Sequence, residues 1–321
     1  MALRSLLKGK GEESLFPFFV FLISLLYGSL NLYFFSKLPE FRAPIPGSDT
    51  ALYWFLGELG REKGVLLPDF KNYFFSPIYA YLFLLFSYFG NSVSLASLFS
   101  LACYVLSSLL LFSVSRLIFK DSLTAFLGAL LFTFYKPVAF YALLPLKTMF
   151  FILLFLSFLY FLLRGSSFPS GVFAGSSILV EGMALPLVLV SFTYSFLKSR
   201  PSLGKLLAFL CGLSFILAPV SLRNLAVGGS LIPLSPVSGI HLYIGNNERA
   251  TGIYRKVPGV RPNAFGHYFD AKEVAERESR RKLSDGEVND FWKKKAISFI
   301  KENPKRFVFL YLDKLLLTFN R

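Results

Sequence analysis

The stretch that decides the fold is LFPFFVFLISLLYGSLNLYFF, residues 15–35, which runs for 21 residues without a charged side chain. A bilayer core is about 30 Å thick, and an α-helix needs about 20 apolar residues to cross it. Residues 93–115 form a second uncharged tract of that length, and residues 123–135 form a shorter one. These tracts predict an all-α protein that crosses a membrane several times.

Composition supports the same class of protein. Hydrophobic residues make up 54% of the chain and charged residues 17%, whereas a soluble domain carries about 25% charged residues. The charged residues are also segregated, with nearly half of them in residues 228–306. The 39 Phe and 16 Tyr suit a lipid-facing surface with aromatic belts at the membrane interfaces. We therefore expect apolar spans and one polar segment outside the bilayer.

The net charge of +15 is interpreted as a membrane feature. The basic residues flank apolar spans and form no nucleic-acid reading module, so we expect no nucleic-acid partner. Lys and Arg in this arrangement orient spans and attract anionic lipid head groups. The basic residues before the first tract (Arg4, Lys8 and Lys10) predict an uncleaved anchor. Cys103 and Cys211 lie in apolar tracts and indicate no disulfide framework.

The number of spans depends on two ambiguous stretches. Residues 76–89 would form a helix of about 21 Å, too short to cross a bilayer comfortably. Residues 171–197 are long for one span, and we interpret them as a hairpin of two short helices turning near Glu181. With 76–89 in the outer interface, the basic residues beside the spans fall on one side, as the positive-inside rule requires. Together with spans at 15–35, 93–115, 123–141, 148–163 and 206–221, this predicts seven spans before Arg223.

This threading divides the chain into three parts. Residues 1–222 form a transmembrane module, whose first outer loop, 36–89, carries two interfacial helices. Residues 223–306 form a mostly helical extracytoplasmic segment, in which Ser284 and Glu287 match a capping box. The helix it opens is predicted to reach about Glu302 and to stop before Pro304. Residues 307–321 are interpreted as the start of a further, incomplete transmembrane helix, and thus as a C-terminal truncation.

Few residues could do chemistry. His241 and His267 are 26 residues apart with no Cys nearby, which argues against a zinc site. Asp49 follows Gly47 and Ser48 in a turn, so Asp49 or Ser48 could cap the next helix. Alternatively, Asp49 is a base or metal ligand at the bilayer surface.

Other candidates carry intramembrane or interfacial charge. Glu181 lies among apolar neighbours, where an ionisable group is a functional candidate by default, unless it makes a local hydrogen bond or lies exposed at the hairpin apex. Arg223 either clamps a phosphate or is an interfacial Arg that reaches the head groups. Lys147 and Lys71 are further basic candidates on the predicted outer face.

The order of these parts resembles the GT-C superfamily of membrane glycosyltransferases, which includes protein O-mannosyltransferases and the aminoarabinose transferase of lipid A. The family places an Asp after its first span and a Tyr in the helix that follows, matching Asp49 and Tyr53. The downstream match is to bacterial members, some of them associated with tetratricopeptide repeats. It rests on Arg223-Asn224, Leu234-Ser235, GIHLYIGNN (239–247), ATGIY (250–254), LSDGEV (283–288), Trp292, Ala296 and Asn303-Pro304.

The resemblance implies a multi-pass enzyme of the bacterial inner membrane with its active site on the outer face. Such an enzyme transfers a sugar from a polyprenyl-phosphate donor to a lipid, glycan or protein acceptor. Asp49 would be the catalytic residue, and Arg223, Lys147 and Lys71 would bind the donor phosphate. Further site candidates are Tyr53, Glu181, Asn246 and Asn247.

The sequence departs from the family pattern in two places. Many relatives carry a second acidic residue in the turn occupied here by residues 141–147, and some carry a Lys where this chain has Ser76. A divalent metal is therefore possible but lacks a second carboxylate, and no cofactor is certain. The alternatives to an active enzyme are a non-catalytic or truncated GT-C-like subunit and a transporter or lipid flippase; the sequence shows no inverted repeat of the kind transporters carry.

Overall fold

A computed structural model describes residues 15–38, 44–67, 69–199, 201–229 and 235–319. Across those ranges the chain is helical and contains no strand. The predictions that concern Arg4, Lys8, Lys10, Leu234 and the final Arg321 lie outside the described residues. The chain divides into two compact units. The first unit comprises the described residues of Met1–Leu67 and Ser76–Pro219, and the second those of Pro68–Phe75 and Val220–Arg321.

The first unit is built around one long helix. Its helices are α1 (Phe16–Phe35), α2 (Asp49–Lys63), α3 (Pro77–Ser87), α4 (Ser92–Phe119), α5 (Ser122–Phe134), α6 (Lys136–Tyr141), α7 (Lys147–Leu163), α8 (Ser167–Val180), α9 (Ala184–Ser199) and the first part of α10 (Leu203–Gly228). Helix α4 packs against α1, α5 and α7, and α7 packs in turn against α8. Tyr104 of α4 and Met149 of α7 are completely buried in the core between them.

Three helices among the described residues are long and apolar enough to cross a membrane: α1, α4 and α10. They differ in how much of the apolar surface the protein itself covers. In the most apolar part of α4, 56% of the residues are buried, against 17% in α1 and 11% in α10. Large apolar surfaces left exposed in this way mark contact with a membrane or another protein. A membrane protein is therefore indicated. Five further apolar helices in these ranges are shorter.

The predicted single helix over 123–141 is wrong, because it breaks at Tyr135 into α5 and α6. Pro137 lacks the N–H that would bond the carbonyl of Thr133 in a continuous helix. That carbonyl instead accepts a hydrogen bond from the Tyr104 hydroxyl at 2.7 Å. The proline thus ends α5 after 13 residues, about 20 Å of helix.

The predicted break near Glu181 is confirmed. Helix α8 ends at Val180, and α9 begins at Ala184, with Glu181 in an extended conformation between them. Pro186 falls in the first turn of α9, where a missing N–H has no cost to the helix. The helix predicted within 76–89 is also confirmed, as α3 of 11 residues.

The second unit contains α11 (Ser238–Gly245), a π-helical turn (Gly266–Asp270), α12 (Ala271–Ser279), α13 (Asp285–Glu302) and α14 (Pro304–Thr318), besides the end of α10. The predicted capping box is confirmed: Ser284 N–H donates to Glu287 Oε2 at 2.8 Å, and Glu287 N–H donates to Ser284 Oγ at 3.3 Å. Helix α14 begins at Pro304, earlier than the predicted position 307, because proline suits the first helical position.

Residues 69–75 pack with the second unit, although their sequence neighbours on both sides belong to the first unit, and Asp285 is one reason. Its Oδ2 accepts hydrogen bonds from Asn72 Nδ2 at 2.8 Å and from the Tyr268 hydroxyl at 2.6 Å. Its Oδ1 accepts from Lys272 Nζ at 2.8 Å. Phe74 stacks on the Tyr268 ring with centroids 4.4 Å apart. A buried carboxylate satisfied by three donors fixes this segment.

Small residues bring α8 and α10 into close contact within the first unit. A Cβ at Gly171 would lie 2.0 Å from the carbonyl oxygen of Phe209, and one at Gly212 would lie 2.3 Å from that of Phe168. Gly171 and Gly175 have the small-xxx-small spacing that lets membrane helices approach. Backbone atoms on both sides leave no flexible side chain that could move aside.

Gly171→Ala is therefore expected to destabilise the protein by about 1–3 kcal/mol, the usual cost of overpacking. Gly204→Ala is the matched control, because a Cβ at that position of α10 meets nothing within 4 Å. The midpoint of thermal unfolding in detergent measures both variants. Equal midpoints for the two would contradict the close packing of α8 on α10.

Candidate functional site

The site begins at the start of α2, where Ser48 caps the helix and the next residue, Asp49, exposes its carboxylate. Ser48 is the N-cap: its Oγ accepts a hydrogen bond from the Ala51 N–H at 3.2 Å and donates to the Ile45 carbonyl at 2.6 Å. Asp49 is the first helical residue and is exposed. No described residue gives its carboxylate a hydrogen bond or an ion pair. The capping alternative therefore belongs to Ser48, which leaves the Asp49 carboxylate available.

Tyr53 lies one turn further along α2 and is 2% exposed. Its hydroxyl accepts a hydrogen bond from the Ser76 N–H at 3.1 Å, and its ring meets that of Tyr79 edge to face. Ser76 is the N-cap residue of α3. A Cβ at Gly57 would lie 2.8 Å from the backbone of Phe83, so α2 and α3 are in close contact. Tyr53 thereby ties the start of α3 to the helix that carries Asp49.

Lys147 and Glu181 form an ion pair beside these residues. Lys147 is the first residue of α7, Glu181 directly follows α8, and Lys147 Nζ lies 3.1 Å from Glu181 Oε2. Their side chains are 25% and 32% exposed, so both can reach a ligand. A hydrogen bond of 3.4 Å from Thr50 Oγ1 to the Pro145 carbonyl connects the first turn of α2 to the turn before α7.

The electrostatics of Tyr53 show that these groups share one environment. Burial raises the pKa of the Tyr53 phenol above its usual value, and the charge of Lys147 opposes part of that rise. Asp49 and Glu181 raise the pKa further. The Tyr53 phenol and the Lys147 ammonium thus each lie within electrostatic reach of both carboxylates. We call this set, Asp49, Tyr53, Lys147 and Glu181, the acidic–basic cluster.

The other predicted site residues belong to the second unit. Arg223 is 8% exposed and donates to the carbonyls of Lys71 at 2.9 Å and Phe70 at 2.7 Å. Its guanidinium also lies 3.9 Å from the centre of the Tyr73 ring. These contacts hold residues 70–73 and favour a structural role for Arg223 over the predicted role in donor binding.

The remaining predicted site residues are Lys71, Asn246 and Asn247, and each uses a backbone or side-chain group within the second unit. Lys71 uses its carbonyl for Arg223, while its side chain is exposed. Asn246 donates to the Leu242 carbonyl at 2.9 Å, and Asn247 donates to that of Tyr243 at 2.7 Å. Both asparagines are therefore buried residues that bind the last carbonyls of α11, a role that the motif alone did not reveal.

The residues present do not build a metal site of the ordinary kind. Over the described ranges, no group of three or more His, Cys, Asp or Glu side chains lies close enough to hold an ion. Glu181, the other carboxylate of the cluster, already forms an ion pair with Lys147. We therefore assign no chemical step to a metal.

Sequence reasoning missed two features. Ser76 Oγ is buried and makes no hydrogen bond to any described residue, although its backbone N–H binds Tyr53 in the cluster. His241 Nε2 and His267 Nδ1 lie 3.2 Å apart despite their separation along the chain. In the sequence, the only indication of this histidine contact is that His241 and His267 lie on either side of a turn-rich stretch, and that pattern does not predict a contact.

No family model, curated protein or solved structure matches this chain.

Proposed function

We propose that this protein is a GT-C-like membrane glycosyltransferase that uses a polyprenyl-phosphate sugar donor. The observation that carries the proposal is the Asp49 carboxylate, which is exposed, relieved of capping by Ser48 and within electrostatic reach of Lys147. A carboxylate with no hydrogen bond or ion pair to the described residues, in electrostatic reach of an ammonium, suits a reaction that removes a proton at one end and releases a phosphate at the other. The exposed apolar helices suit a protein embedded in a bilayer, from which a lipid-linked donor would reach the site.

The reaction divides between these groups as follows. Asp49 accepts the proton of the acceptor hydroxyl as that oxygen bonds to the anomeric carbon of the sugar. The bond from the anomeric carbon to the phosphate oxygen breaks, and its electron pair leaves with the polyprenyl phosphate. Lys147 stabilises the charge that develops on this leaving group. Asp49 later releases its proton to solvent.

Glu181 gives the cluster a resting state. Without donor, the Lys147 ammonium is held by the Glu181 carboxylate at 3.1 Å. An incoming phosphate competes for the same ammonium, and a partly exposed ion pair is weak enough to yield to it. Glu181 therefore orients Lys147 between turnovers.

The finer topology belongs to the same proposal. In the proposed topology of seven spans before Arg223, the cluster lies on the outer face, because Asp49, Lys147 and Glu181 follow the first, third and fifth crossings. Helix length does not distinguish the short spans α5 and α8 from residues 76–89, so this threading depends on the distribution of Lys and Arg. The basic residues at Arg116, Lys120 and Arg164 then lie in the cytoplasm, which accords with the positive-inside rule. A bacterial inner membrane is the setting that the family resemblance implies.

A non-catalytic GT-C-like subunit is the second candidate, and the Lys147–Glu181 pair is the observation that favours it. An ammonium already neutralised by a carboxylate is a weaker phosphate ligand than a free one. Such a subunit would bind the lipid donor without transferring the sugar, so binding and turnover separate the two candidates.

Lys147→Ala is expected to weaken binding of polyprenyl phosphate by about 10-fold or more, since a hydrogen bond to a charged group contributes about 1.5–3 kcal/mol. Two quantities are measured in lipid nanodiscs. The first is the affinity for polyprenyl phosphate, and the second is its rate of release from the sugar-loaded donor, with a cell-envelope extract as the acceptor. Lys136→Ala is the matched control, because Lys136 is an exposed lysine that also begins a helix. Unchanged affinity in Lys147→Ala would remove Lys147 from the site.

A further inference from the structure

A second site-like region lies within the first unit, away from the acidic–basic cluster. A cavity of about 440 Å³ opens where α7 and α9 end and where α8 and α10 begin. That volume falls in the range of roughly 300–1,000 Å³ typical of small-molecule sites. Its lining is mostly apolar, with Phe161, Phe192 and Phe209 among the walls, but it also contains serines and two lysines.

One buried hydroxyl in the wall of the cavity, that of Ser170, has no hydrogen-bond partner among the described residues. Ser170 is 0% exposed. Burying a hydroxyl without a hydrogen-bond partner is costly, and a ligand atom that accepts a hydrogen bond from Ser170 would remove that cost. Ser170 is one turn from the start of α8, which directs it to the same end of the cavity as Ser166 and Ser167.

The start of α8 adds backbone donors. Ser166 occupies the N-cap position, but no side-chain cap bond is made there. Ser167 and Phe168 carry the two amides of the first turn without a partner in the helix, because residue 169 is proline and the Ser170 N–H donates to the Ser166 carbonyl at 3.1 Å. The helix dipole adds partial positive charge at this end. An uncapped helix start of this kind binds anions, phosphate above all.

Two lysines complete the positive character of the cavity. Lys198 and Lys205 line it from the end of α9 and the start of α10. Both are exposed, and neither pairs with a carboxylate in the described ranges. The arrangement therefore offers hydroxyls and amides at the base, ammonium groups at the mouth and aromatic walls between them.

This cavity is remote from the cluster. Lys147 begins α7, whereas Leu162 and Leu163 at its other end line the cavity. Seventeen residues of helix span about 25 Å. One donor phosphate therefore cannot occupy both places at once.

We propose that this cavity binds the phosphate head group of an anionic membrane lipid. The hydroxyls of Ser167 and Ser170 and the amides of Ser167 and Phe168 donate to the phosphate oxygens. Lys198 and Lys205 neutralise the phosphate charge, and the phenylalanines contact the first carbons of the acyl chains. Basic pockets between membrane helices on the cytoplasmic side recognise lipid head groups by this chemistry. Lys198 and Lys205 lie on that side in the seven-span topology.

The test measures lipid retention on the full chain in mild detergent by native mass spectrometry. The probes are dioleoylphosphatidylglycerol, dioleoylglycerol, which lacks the phosphate, and inorganic phosphate as a competitor. The variants are Lys198→Ala/Lys205→Ala, Ser170→Ala and Ser167→Phe, the last of which narrows the cavity. The control is Lys301→Ala/Lys305→Ala, which removes the same charge from exposed lysines of the second unit.

The expected result is retention of phosphatidylglycerol over dioleoylglycerol, reduced at least fivefold by the lysine variant, by Ser167→Phe and, to a smaller extent, by Ser170→Ala. The control should retain the lipid like wild type. Equal retention by the lysine variant and its control would overturn the proposal. So would loss in the lysine variant with full retention in Ser167→Phe, since the lipid would then be held by surface charge alone. Complete displacement by millimolar inorganic phosphate would assign the site to a soluble anion and overturn the lipid assignment.

Discussion

Asp49→Asn is expected to lower the rate of sugar transfer by at least 100-fold while leaving the fold intact. General base catalysis contributes about 10²–10⁴ in rate, and an amide cannot accept the acceptor proton at neutral pH. The fold should tolerate the change because Asp49 makes no hydrogen bond or ion pair to any described residue, and Ser48 supplies the cap. The measurement is release of polyprenyl phosphate from the donor in nanodiscs.

Ser48→Ala provides the opposite control. It removes the cap and should cost about 1 kcal/mol of stability, while turnover falls only slightly because the carboxylate remains. The thermal midpoint and the rate are measured for both variants. If Asp49→Asn loses stability like Ser48→Ala and retains turnover within about tenfold, Asp49 is a structural residue of the turn.

Asp285→Asn is expected to produce the largest loss of stability, about 3 kcal/mol. The side chain is 98% buried and accepts from three donors, and removing one partner of a buried ion pair leaves the Lys272 ammonium uncompensated. Asp290→Asn is the control, since Asp290 is exposed on the same helix. Chemical unfolding followed by the fluorescence of Trp292, which packs in the same unit, measures the loss.

The same residue sets a dependence on pH. Burial acts to raise the pKa of Asp285, but hydrogen bonds from Asn72, Lys272 and Tyr268 outweigh it and hold that pKa below its usual value. Its contribution is therefore complete above the unfolded value of about 3.9 and is lost as the pH falls through the lower folded value. Asp285→Asn should flatten the acid limb of the stability curve. An unchanged acid limb would show that Asp285 is not the controlling carboxylate.

Local sequence signals predicted much of the helical framework. The charge-free run before Phe35, the break at Glu181 and the capping box at Ser284 each depend on neighbours within one or two turns, and the structure contains all three. The difference at Tyr135 has a local cause as well, because Pro137 lies within an apolar tract but lacks the N–H that would continue the helix. Hydropathy alone does not register that loss.

The candidate site was predictable only in part. Asp49, Lys147 and Glu181 were each identified as isolated charges near apolar segments, yet their association depends on contacts between residues far apart in the sequence, such as Thr50 with Pro145 and Lys147 with Glu181. The role of Arg223 was the least predictable. A terminal Arg beside a span suggests a phosphate ligand, and only its partners, the carbonyls of Phe70 and Lys71, show that the guanidinium is already bound.

The most direct test of the central claim measures donor binding and donor turnover in the same nanodisc preparation, for wild type, Asp49→Asn and Lys147→Ala. The account predicts that wild type binds polyprenyl phosphate and releases it from the sugar donor. Asp49→Asn should bind it like wild type but release it at least 100-fold more slowly, and Lys147→Ala should both bind it about 10-fold or more weakly and turn over more slowly. Binding without turnover in wild type would identify a non-catalytic subunit, and turnover in Asp49→Asn at the wild-type rate would contradict the proposed mechanism.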